Sequence, residues 1–295
     1  MRRIQRVILS VSLLVTLVLG LTIDRSELAA ASDIGVTGRV SCDGKGNVGL
    51  AMDIRGKIDA STVAGVKKLF VQYHEAVASG GSDKCERTRG NDLSAYGTHF
   101  EVSSRGGSVA AAMVIGRIFR KENVELMVDR VCMSSCVLVL AGAVDRQIRD
   151  SDSVGIHRPY FATSPQKPLD VDQVKRSYGR MLNEMRAYLS EMDVSEQLAN
   201  DMLAIEPEDV RILTRAELKR YRLEGPTPAE RQRLAIEREA DDVQKASKLG
   251  IDRLEYNRRK TLARSCIYTT ADEVETNQSA FFACKEHILK TGRRN

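Results

Sequence analysis

Tryptophan is absent, aromatic residues make up 5% of the chain, and there are four histidines and six prolines in 295 residues. The histidines, His74, His99, His157 and His287, are scattered, and no pair has the spacing of zinc ligands, so a metal site of the usual kind is excluded. Internal repeats and low-complexity tracts are also missing, which excludes a solenoid or a disordered scaffold. A large excess of charge of one sign is missing too. The formal net charge is +5, and Arg2, Arg3, Arg6 and Arg25 supply most of it from the first turns of the chain. The balance that remains suits neither a nucleic-acid binder nor a membrane-surface protein.

What is present begins with a long apolar run. MRRIQR is followed by an uninterrupted apolar stretch at 7–23, and SELAAAS then places small residues at Ala29 and Ala31. This is the pattern of a secretory signal peptide over residues 1–31, or of a retained signal anchor that would tether the protein to a membrane through 7–23. Either reading puts the body in the periplasm or outside the cell. Six cysteines fit an oxidising compartment. The pairs Cys42–Cys85 and Cys266–Cys284 each bracket one segment and are the expected disulfides, while Cys132 and Cys136 are left free or paired.

Periodicity organises the rest. Apolar residues alternate at Val48, Leu50, Met52 and Ile54, a strand expected to end in a turn at 55–57. A helix opens at a capping Asp59 or Ser61, with Val63, Val66, Leu69, Phe70, Tyr73 and Val77 on one face, and stops at Gly80 and Gly81. A charged, glycine-containing loop at 82–97 leads to the strand THFEVSS, the SRGGS turn and the helix SVAAAMVIGRIFRKEN. The strand NVELMVD, the buried helix CMSSCVLVLAGAVD and the strand SVGIHRP complete the alternation. This order predicts an α/β fold with βαβ units around a mostly parallel sheet, spanning residues 40–226. An amphipathic helix follows at 174–192, then a short strand or turn and a helix ending near Gly225 and Pro226. Residues 227–295 form a charged helical extension, its last part a disulfide-held cap.

In such sheets ligands collect where strands feed into helices, and SRGGS and VCMSSC both sit there. A serine hydroxyl needs a base to take its proton and donors for the oxyanion that forms. Ser134 and Ser135 fall at a helix start, consecutive glycines at Gly106 and Gly107 let backbone N–H groups approach a substrate closely, and His157 follows a strand. Each feature alone also has a plainer meaning: a cap, a turn, a satisfied histidine.

Taken together, GKI at 56–58, SSRGGSVAAAMVIGRIFR, CMSSCVLVLAGAVDR and VGIHRP resemble the Clp protease proteolytic subunit and its crotonase-like superfamily, in particular an exported branch with a Cys-x-Ser-x-Cys motif. The match spans residues 48–225. The resemblance implies Ser134 as nucleophile, His157 as general base, and an oxyanion hole from the N–H groups of Gly106 or Gly107 and of Ser135. It implies Asp209 as the third member, with Glu206 and Glu208 as competitors. Gly142 and Arg146 occupy the family's following Gly and Arg, and Arg105 replaces its proline in the glycine turn. The implied activity is that of a serine peptidase acting on peptides or unfolded protein as a homo-oligomer, with no cofactor and no ATP-driven partner. A catalytically silent binding scaffold and an acyl thioester or ester hydrolase are the alternatives on the same fold.

Overall fold

The structure, a computed structural model, describes residues 35–43, 46–81, 86–87, 98–160, 170–266 and 274–294. The expected signal segment and most of the loop at 82–97, with Cys85, lie outside the described residues. Among the described residues, no helix is long and apolar enough to cross a membrane. The chain forms two compact units, with the boundary between Gly225 and Pro226.

The first unit is α/β around a mostly parallel sheet. Strand β1 (Gly35–Cys42) pairs antiparallel with β2 (Val48–Ile58), and the sheet continues in parallel through β4 (His99–Gly107), β5 (Glu125–Met133) and β6 (Asp145–Gln147). A two-residue strand, β3 (Glu86–Arg87), extends the β1 edge. Beyond the point where β6 pairs with it, β5 is joined by β7 (Ser153–Ile156), and β7 takes a short antiparallel partner, β8 (Arg211–Ile212). The sheet buries Leu50, Ile54, Val102, Leu126, Val128 and Val154, alternate residues of their strands, as a half-buried sheet requires.

Strand β2 runs further than expected. Instead of a turn at 55–57 the chain passes through Gly56 at φ +83°, and the register to β4 slips between Arg55 and Lys57. A glycine bulge kinks the strand without ending it. Helix α1 (Ala60–Ala78) starts at Asp59, whose side chain accepts from the Ser61 and Thr62 N–H groups while the Thr62 hydroxyl accepts from the Asp59 N–H. Val66, Leu69 and Phe70 face the sheet as expected. Val77 does not: it is 49% exposed, and the smaller Ala76 fills the last buried position.

Helices α2 (Val109–Lys121) and α3 (Cys136–Gly142) pack so closely that a Cβ on Gly142 would overlap the Gly116 backbone. The helix expected across CMSSCVLVLAGAVD is therefore only seven residues long, all of them buried. Its first two residues belong to β5, where Cys132 pairs with both Ser104 and Val154. An apolar run buried on every side carries no period to mark the change from strand to helix. Helix α4 (Val171–Glu191) buries Met185, Tyr188 and Leu189 in its second half. Helices α5 (Gln197–Leu203) and α6 (Arg215–Tyr221) complete the unit.

The second unit is helical, with α7 (Pro228–Lys248), α8 (Arg253–Leu262) and α9 (Val274–Thr291). Its small core of Ala263, Cys266 and Ile288 is closed by the Cys266–Cys284 disulfide. Ion pairs such as Lys260 to Asp242 at 2.8 Å join α8 to α7.

Candidate active site

Ser134 stands at the exit of β5, which ends at Met133, and two residues before α3, which begins at Cys136. Its backbone is left-handed, φ +56°, a conformation that costs a non-glycine residue about 1 kcal/mol. It is held there from three sides. The Ser134 N–H donates to the Gly155 carbonyl of β7 at 2.9 Å, and its own carbonyl accepts from Val137 at 3.1 Å. The third restraint is a disulfide between Cys132 and Cys136, which brackets the serine with Cα atoms 5.2 Å apart. Those two cysteines, left open by the sequence, are thus paired. Cys42 is also disulfide-bonded, and its expected partner Cys85 lies outside the described residues.

The serine pair is not a helix cap. Ser135 precedes α3 but makes no side-chain cap bond, and its buried hydroxyl has no hydrogen-bond partner among the described residues. Its N–H likewise has no backbone acceptor.

The glycine turn lies directly against Ser134. At Gly106 (φ +109°) an added Cβ would come within 2.6 Å of Ser134 Cβ and 3.1 Å of its Oγ, so only glycine fits. The two glycines differ in what their N–H groups do. That of Gly106 donates to Ser104 Oγ at 3.0 Å, and the same hydroxyl donates to the Gly56 carbonyl at 2.6 Å. Gly107 is registered opposite Ile58, where the ladder bond comes from Ser108 to the Ile58 carbonyl. In a parallel ladder that leaves the Gly107 N–H facing the other side of the strand, toward β5 and Ser134.

His157 is 8% exposed and follows β7. Its Nδ1 lies 3.0 Å from the Arg158 carbonyl oxygen. With the proton on Nδ1 for that bond, Nε2 is an acceptor, the form a general base needs. The resemblance assigned this orienting role to Asp209, with Glu206 and Glu208 as competitors. Asp209 is exposed, and among the described residues its side chain makes no hydrogen bond; its backbone N–H donates to the Glu206 carbonyl at 3.1 Å. Glu206 pairs instead with the Arg158 guanidinium, and Glu208 is exposed. The segment itself is in place: Arg158 donates its N–H to the Ile205 carbonyl at 2.9 Å, and Gly155 is registered with Ile212. Its acids simply point to solvent. No sequence signal marks a backbone carbonyl as the histidine's partner.

Ser134, Gly107 and His157 line one cleft of about 800 Å³, with Met113 of α2, Met181 of α4 and the exposed Tyr160 on its walls. Sequence reasoning missed α4 as a wall; the apolar stripe of that helix was the available signal. Among the described residues no three metal-ligating side chains cluster.

Behind the cleft, α3 is clamped at its carboxyl end. Arg146, 1% exposed, donates to the carbonyls of Ala141 at 2.6 Å, Arg222 at 2.7 Å, Met192 at 3.0 Å and Leu140 at 3.3 Å. Burial pushes its pKa down to about 10, which leaves it cationic at neutral pH. The buried Tyr188 hydroxyl donates to Leu138 at 2.6 Å. These bonds fix the helix that Ser134 and Ser135 immediately precede.

No family model and no curated protein matches this sequence. Among solved structures, a point mutant of ClpP1 from Listeria monocytogenes is similar to this chain, with a TM-score of 0.41 and 17% identity over 58% of this chain and 86% of that one.

Proposed function

We propose that the protein is a serine peptidase, exported from the cytosol, that cleaves peptides or unfolded chains without ATP. The observation that carries this reading is the meeting of Ser134, in a left-handed turn against Gly106, with His157 in the same cleft. Ser134 Oγ attacks the peptide carbonyl and its proton passes to His157 Nε2. The Gly107 and Ser135 N–H groups receive the oxyanion. His157 then returns the proton to the leaving amine, and water hydrolyses the acyl-enzyme with the same histidine as base. The buried disulfides support an oxidising compartment, as does the basic, then apolar, amino-terminal pattern. The partly exposed apolar stripe of Val174 and Met181, beside the exposed Val171, supports self-association through α4.

A second reading, a binding scaffold without turnover, is favoured by one observation: among the described residues no carboxylate reaches His157. A fluorophosphonate probe separates the two. Labelling at Ser134 that is lost in Ser134→Ala and His157→Ala, and kept in Ser135→Ala, is the expected result. A folded protein that stays unlabelled would sink the peptidase reading and leave the scaffold.

A further inference from the structure

The cleft wall around Ser134 carries more positive charge than its neighbours neutralise. Lys57, Arg105 and Arg180 line it together with a single carboxylate, Glu184. Five other arginines of this unit, Arg55, Arg117, Arg149, Arg158 and Arg211, each pair with a carboxylate. The cleft cations do not. The exposed side chains of Lys57 and Arg105 have no hydrogen bond or ion pair among the described residues, and Arg180 touches only the Ser177 hydroxyl, at 3.3 Å. Arg105 immediately precedes Gly106, the glycine packed against Ser134, and its side chain lines the same cleft as the serine. Lys57 sits across the β2–β4 pairing, registered with Gly106 itself.

We infer that this cleft recognises a carboxylate side chain, selecting peptides with Asp or Glu next to the bond that Ser134 attacks. The inference rests on the peptidase reading for cleavage but not for binding. Cations held unpaired in a concave, partly apolar wall concentrate anionic ligands and speed their arrival, and salt weakens both effects. Met113, Met181 and Tyr160 leave room for an uncharged residue beside the acidic one.

The test uses amidated, internally quenched peptides that differ at one position beside the scissile bond, Glu, Gln or Lys, plus the Gln peptide with a free carboxyl terminus. We expect kcat/KM to favour Glu over Gln by about tenfold, with Lys lowest, and the ratio to shrink in 0.5 M salt, at roughly a 4 Å Debye length. Arg105→Glu should reverse the order of Glu and Lys, and Lys57→Glu should do so should the first variant fail to fold. Equal kcat/KM for all three peptides on an active enzyme would overturn the inference. So would a preference that follows the free carboxyl terminus instead of the side chain. If no peptide is cleaved and no serine is labelled, the peptidase reading has failed. Anisotropy of the same labelled peptides on Ser134→Ala then decides the carboxylate site alone: tighter binding of Glu upholds it, equal binding removes it.

Discussion

His157 Nδ1 is paired with the carbonyl oxygen of the next residue, Arg158, at 3.0 Å, and with no acid. A backbone carbonyl sets the tautomer as a carboxylate would. Being neutral, it stabilises the imidazolium less, so the reaction should be slower than in a full triad. Asp209→Asn and Glu206→Gln are therefore expected to lower the fluorophosphonate labelling rate by less than about threefold, where loss of a true triad carboxylate costs about 10⁴-fold. A large loss in Asp209→Asn would mean that the acid swings in to His157 during the reaction.

The Cys132–Cys136 bridge closes a very short loop around Ser134, with a sequence separation of 4. Loop closure of that length is worth about 2 kcal/mol, or a fall in Tm of about 4–8 °C in the double Cys132→Ala, Cys136→Ala variant. The functional loss should exceed the stability loss, because the bridge also holds the left-handed turn. Labelling rates measured well below the variant's Tm test this. A rate equal to wild type would show that the Gly155 and Val137 bonds suffice on their own. Both cysteines are fully buried, so reductant should act on the native protein only slowly.

Much of this arrangement was legible before any coordinates. The alternation of strands and helices, the Asp59 cap, the glycine turn, the serine pair and His157 all have local signatures: period, capping chemistry, or positive-φ glycines. Less local features were not legible. Strand β1 carries three exposed positions in a row, Thr37, Gly38 and Arg39, which hides its alternation. The boundary between β5 and α3 lies inside a uniformly apolar run. Asp209 has the right place in the chain, yet side-chain direction in a two-residue strand's lead-in depends on tertiary pairing, and here it faces water. Arg146 offers the sharpest case, since sequence alone placed it in a motif without revealing that it serves four carbonyls.

Replacing Arg146 by Met should destabilise the protein by at least about 3 kcal/mol, since it leaves buried carbonyl oxygens without donors. Arg120 covers part of the deficit, as it already donates to Ala141 at 3.3 Å and Met192 at 3.2 Å. The Leu140 carbonyl keeps the Ala143 N–H at 3.2 Å, while the Arg222 carbonyl has no such reserve among the described residues. Urea unfolding should show a lower midpoint at an unchanged slope, and a loss below about 1 kcal/mol would mean that water or Arg120 replaces the bonds.

Glu217 links acid stability to the site. Its carboxylate accepts from the Thr214 N–H at 2.9 Å and pairs with Arg211 of β8, the strand registered against β7 just before His157. The Thr214 backbone bond, then Arg211, hold its pKa down at about 2, against an ordinary 4.5. A carboxyl depressed in the folded state adds stability that is fully present above 4.5 and is lost as pH falls toward 2. Glu217→Gln keeps a capping oxygen but loses the charge. Its Tm should therefore lie below wild type by a constant margin from pH 7 to 5.5, and the margin should shrink to less than half by pH 3. A margin that persists unchanged at pH 3 would assign the effect to shape rather than charge.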